Sequence, residues 1–312
     1  MTQENSKSWF VIINPTSGKG KGLREWPIIS GLLYDAGISF EPHFTQRKFH
    51  AIELTFQAAR RGFRSIIVVG GDGTLHEAAC GVMMQNDVAS TDITLALFAV
   101  GTGNDWMRMY GIPKTYNDIV GAIKAGKTFL QDVAKVQYTE SLVEQTSYLI
   151  NVGGVAYDAA VCASVNRLKS KGYRGTWLYI RSAFTEAIKF RSRRASIKCD
   201  GKEIFSGRLF SATIAIGKYS GGGLSQTPLA VADDGLLDMT LIPQMNRVRL
   251  FMRFKALYND NIYNINGVSL HRGTVIEITS NEEIPLELDG ENMGVSDFRF
   301  QVIERAIRVI VR

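Results

Sequence analysis

The chain has 312 residues, 45% of them hydrophobic and 21% charged, which excludes a disordered tail or a fibre and, at about 150 residues per domain, points to two domains. The longest run without a charge, Tyr219 to Ala232, falls short of the ~20 apolar residues that a bilayer-spanning helix needs. The net charge is +6, and three scattered cysteines, Cys80, Cys162 and Cys199, make neither a disulfide framework nor a zinc site.

The first third alternates short apolar runs with helical patterns. Strands are predicted at Trp9–Asn14, Ile38–Thr45, Ser65–Val69 and Thr94–Val100, and helices at Leu23–Asp35, Ala51–Arg61, Thr74–Met84 and Tyr116–Ala125. Unbroken apolar strands between helices of this length indicate a parallel sheet covered on both faces. Near Thr128 the pattern changes. Strand-like runs then dominate at Asp132–Tyr138, Tyr148–Val152, Ala195–Cys199, Gly207–Gly217, Leu236–Ile242, Thr274–Thr279 and Pro285–Leu288. Two helical patterns interrupt them. One is Thr176–Phe190, with Trp177, Ile180, Phe184, Ala187 and Ile188 on one face, and the other is Arg247–Tyr258. The expectation is an α/β domain followed by a β-rich one. Residues Met1 to Trp9 lack the apolar core of a signal peptide, so a cytoplasmic location is expected.

Three polar, glycine-rich loops follow predicted strands. Gly70-Gly71-Asp72-Gly73-Thr74 lies between a buried strand and a helix. Its glycines let a phosphate approach the backbone, the helix N-terminus offers free N–H groups and positive dipole, Asp72 can hold a magnesium ion or its water, and Glu77, one turn on, can reach a ribose. Asn14-Pro15-Thr16-Ser17-Gly18-Lys19-Gly20 ends the first strand, and Gly101-Thr102-Gly103-Asn104-Asp105 the fourth. In a parallel sheet such loops converge on the edge where ligands bind. Gly121 to Thr128 also spells G-x-x-x-x-G-K-T, but it runs from helix to strand, the reverse of a phosphate-binding P-loop.

The three loops together resemble those of the diacylglycerol kinase catalytic-domain family, which includes sphingosine and ceramide kinases and bacterial lipid kinases. The likeness continues through Gly154 to Asp158, Gly221-Gly222-Gly223 with Pro228 and Ala230, Asp233 to Asp238, and Leu288-Asp289-Gly290-Glu291. Departures are Ala99, Trp106 and His76, where the family often has proline, phenylalanine and asparagine. The resemblance implies an α/β N-terminal domain with a parallel sheet that binds ATP, and an all-β, sandwich-like C-terminal domain for a lipid. The expected domains are 1–130, with 298–312 returning to it, and 131–297. It implies nucleotide contacts at Asn14, Pro15, Ser17, Gly18, Thr45, Gly70, Gly71, Gly73, Thr74, Gly101, Thr102, Gly103 and Asn104. It further implies a magnesium site at Asp234 with the carbonyls of Val231 and Leu236, and Glu291 as general base.

The chemistry is consistent with that expectation. An alcohol needs a carboxylate to take its proton as it attacks a γ-phosphate. Asp289 and Glu291, two apart on an apparent strand end, are expected to face one side and raise each other's proton affinity. Both Asp289-Gly290 and Asp234-Gly235 also read as plain turns. Between Asn166 and Arg194 nine basic residues stand against one acid, Glu186, a patch suited to an anionic membrane face or to other polyanions, or simply a solvated face. The helix Arg247–Tyr258, with Arg247, Arg249, Arg253 and Lys255 beside an apolar stripe, is a second membrane candidate. The expected function is ATP- and magnesium-dependent phosphorylation of a lipid hydroxyl, with diacylglycerol first among acceptors. Other readings are a sphingoid base or ceramide as acceptor, an NAD kinase, or a nucleotide or lipid sensor without catalysis. A homodimer is compatible with the sequence. No helix-turn-helix, zinc or RNA-binding signature supports nucleic acid.

Overall fold

A computed structural model describes residues 5, 7–101, 103–112, 114–140, 143–173, 175, 177–246 and 259–312. Thr102 and the segment 247–258, predicted as a basic amphipathic helix, lie outside the described residues. The chain divides into two compact units, 1–132 with 304–312, and 133–303.

The first unit runs β1 (Trp9–Ile13), α1 (Ser17–Asp35), β2 (Phe40–Phe44), α2 (His50–Arg60), β3 (Ser65–Gly70), α3 (Asp72–Met84), β4 (Thr94–Ala99), α4 (Asp105–Met109) and α5 (Tyr116–Ala125), and ends in the opening residues of β5 (Thr128–Glu140). Phe10 to Ile13 and Ile66 to Val69 are wholly buried, as strands covered on both faces must be. The ladders β1–β2, β1–β3 and β3–β4 are parallel. The returning segment 304–312 then adds to β4, with Arg308 opposite Thr94 and Val309 opposite Leu95. It also runs back along β5: Val311 N–H donates to Lys127 O (3.1 Å) and Arg305 N–H to Asp132 Oδ1 (2.6 Å). α5 is capped at both ends. Thr115 Oγ1 accepts from Asp118 N–H, and Gly126 takes the left-handed conformation at the C-terminus. Gly126 therefore closes a helix and Thr128 opens a strand, so Gly121–Thr128 is no phosphate loop.

The second unit continues β5 into β6 (Val143–Leu149), β7 (Val152–Ala156), α6 (Tyr157–Ser170), α7 (Trp177–Lys189), β8 (Arg193–Cys199), β9 (Lys202–Ala215), β10 (Tyr219–Ser220), β11 (Leu224–Ser225), β12 (Leu237–Pro243), β13 (Ser269–Gly273), β14 (Val275–Thr279), β15 (Pro285–Leu288) and β16 (Glu291–Ile310), whose last residues are the returning segment. β7 pairs with β15, β15 with β16, β16 with β14, β14 with β8, β8 with β9, and β9 again with β7. Every one of these ladders is antiparallel, and the ring is closed. Ile197, Leu209, Ile214, Ile276, Leu286 and Phe300 are buried among its strands. β12 and β13 extend outward from β9.

The expected fold class is corrected on two points. The N-terminal sheet is not the parallel sheet expected: at its edge β5 runs antiparallel to the returning segment, which itself lies parallel to β4. The C-terminal unit is not a sandwich but a closed, antiparallel, barrel-like sheet. Alternating strands look the same in sequence whether they build two layers or one closed ring. Only the β16–β14–β8 pairings, between residues far apart in the chain, decide it.

Candidate active site

In the first unit the three glycine-rich loops meet. β1 ends at Asn14, whose N–H donates to Val69 O (2.9 Å) and whose Nδ2 donates to Thr74 Oγ1 (2.9 Å). Asn14 Oδ1 accepts from Thr16 N–H and Oγ1. The first loop is thereby bound to the start of α3. Pro15 follows Asn14, and Ser17 N–H donates to Asn14 O. Gly18 has φ +57°, and a Cβ there would lie 1.9 Å from Val100 O, so no other residue fits. A Cβ on Gly101 would lie 2.7 Å from Gly71 Cα, which brings the second and third loops into backbone contact. Val100 N–H donates to Gly70 O (2.9 Å). Thr45, just after β2, donates its N–H to Ile13 O (2.8 Å), at the same end of the sheet. The result is a glycine-rich backbone edge at the C-terminal ends of parallel strands and the N-terminus of α3, where phosphate is favoured.

Two acids at the start of α3 have structural work as well. Asp72 accepts from the N–H groups of Asp105 (3.2 Å) and Trp106 (3.2 Å), and so caps α4. Glu77 accepts from Phe49 N–H (3.0 Å) and Ala51 N–H (3.2 Å), tying the start of α2 to α3. α4 is further held where Trp106 Nε1–H donates to the buried Gln131 Oε1 (2.8 Å). Asn104 supports the third loop through Nδ2–H to Gly101 O (3.2 Å).

Among the described residues no cluster of three His, Cys, Asp or Glu side chains stands ready for a metal. Two carboxylates border the space beside Gly103. A Cβ on Gly103 would lie 3.2 Å from Asp72 Oδ2 and 3.3 Å from Asp105 Oδ2. Asp105 is buried. Carboxylate oxygens beside a phosphate-binding edge are the kind of ligand a magnesium ion takes together with water and phosphate, and here Arg108 Nε, 3.8 Å from Asp105 Oδ1, competes for one of them. Asp105 lies in the motif Gly101–Asp105, where nothing local marks it for a role; its place beside Asp72 depends on a fold that brings the loops together.

In the second unit β15 turns into β16 through Asp289 (φ +49°) and Gly290 (φ +89°), a two-residue hairpin turn. Asp289 is the anchor of this turn. Its Oδ2 accepts from Ile150 N–H (2.9 Å), and its Oδ1 from Asn151 N–H (2.9 Å) and Val152 N–H (3.0 Å). The buried Glu287 accepts from Gly290 N–H (2.8 Å), while Gly290 O accepts from Asn166 Nδ2–H (3.0 Å) and Cys162 Sγ–H (3.1 Å). Glu291, opposite Leu288 and half-buried, opens β16 on this braced turn. Behind the hairpin Asp158 accepts from Thr213 Oγ1–H (2.6 Å) and Gln226 Nε2–H (3.2 Å). Burial holds its carboxyl above the usual aspartate range, against the pull of those hydrogen bonds.

The loop of Val231, Asp234 and Leu236 is built differently from a metal site. Its oxygens are of the right kind for a hard cation. Asp234 Oδ1, however, accepts from Leu236 N–H (3.1 Å), and its Oδ2 accepts from Arg272 Nη2. Arg272 Nε also lies 3.1 Å from Oδ1 of the buried Asp238. A guanidinium already neutralises the two carboxylates, so these residues as folded do not fit a magnesium ion. Burial pushes the Asp238 carboxyl up, and Arg272 only partly offsets it.

Residues 8–136 match the family model of the diacylglycerol kinase catalytic domain. Residues 151–311 match that of the YegS C-terminal NAD kinase beta sandwich-like domain. A "Diacylglycerol kinase" of Bacillus subtilis (strain 168) is 27% identical over 303 residues, 96% of this chain and 95% of the relative. A "Probable lipid kinase YegS" of Salmonella arizonae is 26% identical over 299 residues, covering 96% and 94%. A crystal structure of a diacylglycerol kinase from Bacillus anthracis str. Sterne superposes with a TM-score of 0.71 over 98% of this chain and 97% of that one, at 20% identity, which speaks to the fold alone. No helix among the described residues is long and apolar enough to cross a membrane.

Proposed function

Because the chain belongs to the lipid kinase family that joins a diacylglycerol kinase catalytic domain to a YegS-type C-terminal domain, we propose that it transfers the γ-phosphate of ATP to a lipid hydroxyl, with diacylglycerol as acceptor. The observation that carries this reading is the backbone contact of the three glycine-rich loops at one strand edge. N–H groups and a helix N-terminus there would spread the charge that develops on a transferring phosphoryl group. The B. subtilis relative's name supports the acceptor.

The acceptor oxygen attacks γ-phosphorus in line. A new O–P bond forms, the bond from phosphorus to the ADP oxygen breaks, and the hydroxyl proton passes to the Glu291 carboxylate. Asp289 and Glu287 keep Glu291 in place by bracing its turn. Asp72 and Asp105 would hold a magnesium ion, which supplies charge neutralisation to the phosphates when bound.

The test is transfer of label from γ-labelled ATP, with magnesium, to a panel of lipids in mixed micelles and to NAD. Label is expected in diacylglycerol, and Glu291→Gln should lower the rate by about 100-fold or more without changing ATP affinity. Label in ceramide, a sphingoid base or NAD would move the acceptor accordingly. ATP binding without transfer to anything would sink the kinase reading in favour of a sensor.

A further inference from the structure

The second unit holds a wholly buried carboxylate, Asp238 on β12, that the phosphate-transfer chemistry does not use. A carboxylate taken out of water needs a cation or a set of hydrogen bonds. Among the described residues neither Asp238 oxygen accepts a well-aligned hydrogen bond, so charge must hold it. The antiparallel register of β12 and β13 sets Arg272 directly opposite Asp238, with Nε 3.1 Å from Asp238 Oδ1. The same guanidinium reaches the turn before β12, where Nη2 donates to Asp234 Oδ2. Leu236 N–H takes the other oxygen of Asp234 (3.1 Å) and fixes the turn. Lys218 adds a weaker positive field at Asp238.

We propose that Arg272 is a built-in cation of this loop: it does for Asp234 and Asp238 what the magnesium ion implied by the family likeness would do, so the second unit needs no divalent ion to fold. The two cations exclude each other. Magnesium gathers oxygens at about 2.1 Å in an octahedron, and to take Asp234 Oδ2 it must draw that oxygen off Arg272. It would then face a positive charge across a few ångströms in a partly desolvated site. Arg272 cannot yield by losing its proton, as a lysine could. Nor can it leave easily, because its strand register fixes it over Asp238. A planar guanidinium, unlike a point charge, serves two carboxylates at once. The magnesium of the proposed reaction is then confined to the nucleotide edge.

The inference stands apart from the kinase reading and is measured without nucleotide or acceptor lipid. The full-length protein is stripped with EDTA and melted without divalent ions, with excess magnesium, and with excess calcium. Wild type is expected to melt at one temperature in all three. Arg272→Ala in EDTA should melt lower by about 6 °C or more. Either ion should recover at least half of that loss, and adding Asp234→Asn should abolish the recovery. Arg272→Lys keeps the charge, so it should lose less and gain little from the ions. If Arg272→Ala does not fold, Arg272→Met, which keeps the length of the stem, replaces it. The proposal is overturned if magnesium raises the melting temperature of wild type and Asp234→Asn removes the rise, since the loop then holds an ion beside Arg272. It is also overturned if Arg272→Ala melts like wild type, or if neither ion recovers the loss, which would reduce Arg272 to an ordinary ion-pair partner. Label transfer, read with magnesium present throughout, reports the kinase reaction separately: its absence would remove that reading and leave the built-in cation standing.

Discussion

Asp289 and Glu291 stand two residues apart and do different work. Asp289 lies in the turn with its carboxylate receiving three backbone N–H groups from Ile150 to Val152, so it does not share a strand face with Glu291. Asp289→Ala leaves those donors without their charged acceptor and should cost about 3 kcal/mol, read as a melting temperature lower by roughly 6–10 °C. Glu291→Gln should melt like wild type. A catalytic loss on Asp289→Ala at unchanged stability would contradict the anchoring role. Asp158 makes a second residue-scale case. Burial raises its carboxyl above the ordinary aspartate value, so the folded state holds a proton that the unfolded chain releases. Its contribution therefore favours folding below the ordinary aspartate pKa and is lost as pH rises through the raised value. Asp158→Asn should flatten that dependence: set against wild type, the variant should gain melting temperature between pH 4 and pH 8. Neither role was readable in the sequence, where an Asp-Gly step shows a turn but not which distant amides it collects.

At the scale of elements, what was legible is what is local. β3, α3 and the loop between them follow from a β-branched run, three glycines and an apolar helix within twenty residues. The decoy P-loop was legible for the same reason, because cap and strand signals sit inside the motif. A pair of substitutions separates the two glycine sets. Gly101→Ala forces a methyl to 2.7 Å from Gly71 Cα and should weaken ATP binding at least tenfold by calorimetry. Gly121→Ala, exposed inside α5 with nothing within 4 Å of the new methyl, should leave ATP binding alone and stabilise by about 0.5–1 kcal/mol. The helix Tyr157–Ser170 leaves little trace in the sequence because its apolar positions are few: only Ala159, Cys162 and Val165 are buried. In the next helix the apolar stripe was legible, but not that Leu178, Ser182 and Ala187 are the residues it buries. Periodicity reports that a stripe exists, and only packing reports whether it points inward.

The whole molecule depends on pairings that no local pattern reports. β16 is the element on which they converge. Its first part closes the ring against β15 and β14, and its last part supplies a parallel neighbour to β4. The sequence between Glu291 and Ile303 does alternate, with Phe298 and Phe300 buried, yet Asp297 and Arg305 at positive φ interrupt the period and hide one long strand. The first unit is therefore completed by residues at the far end of the chain. Ile307 and Val309 are buried there, and Arg308 is fastened by Nε–H to Thr91 O (2.9 Å) and by Nη1–H to Thr128 Oγ1 (3.3 Å). A charge at this point reaches the nucleotide loops without touching them. Val309→Asp buries an unpaired carboxylate beside β4, whose end leads into Gly101, and a cost of several kcal/mol is expected. ATP binding should then be lost together with the folded first unit, seen as lost amide-exchange protection in β1, β3 and β4. If those strands keep their protection in the variant, the returning segment is an accessory edge, and the first unit holds together from residues 1–132 alone.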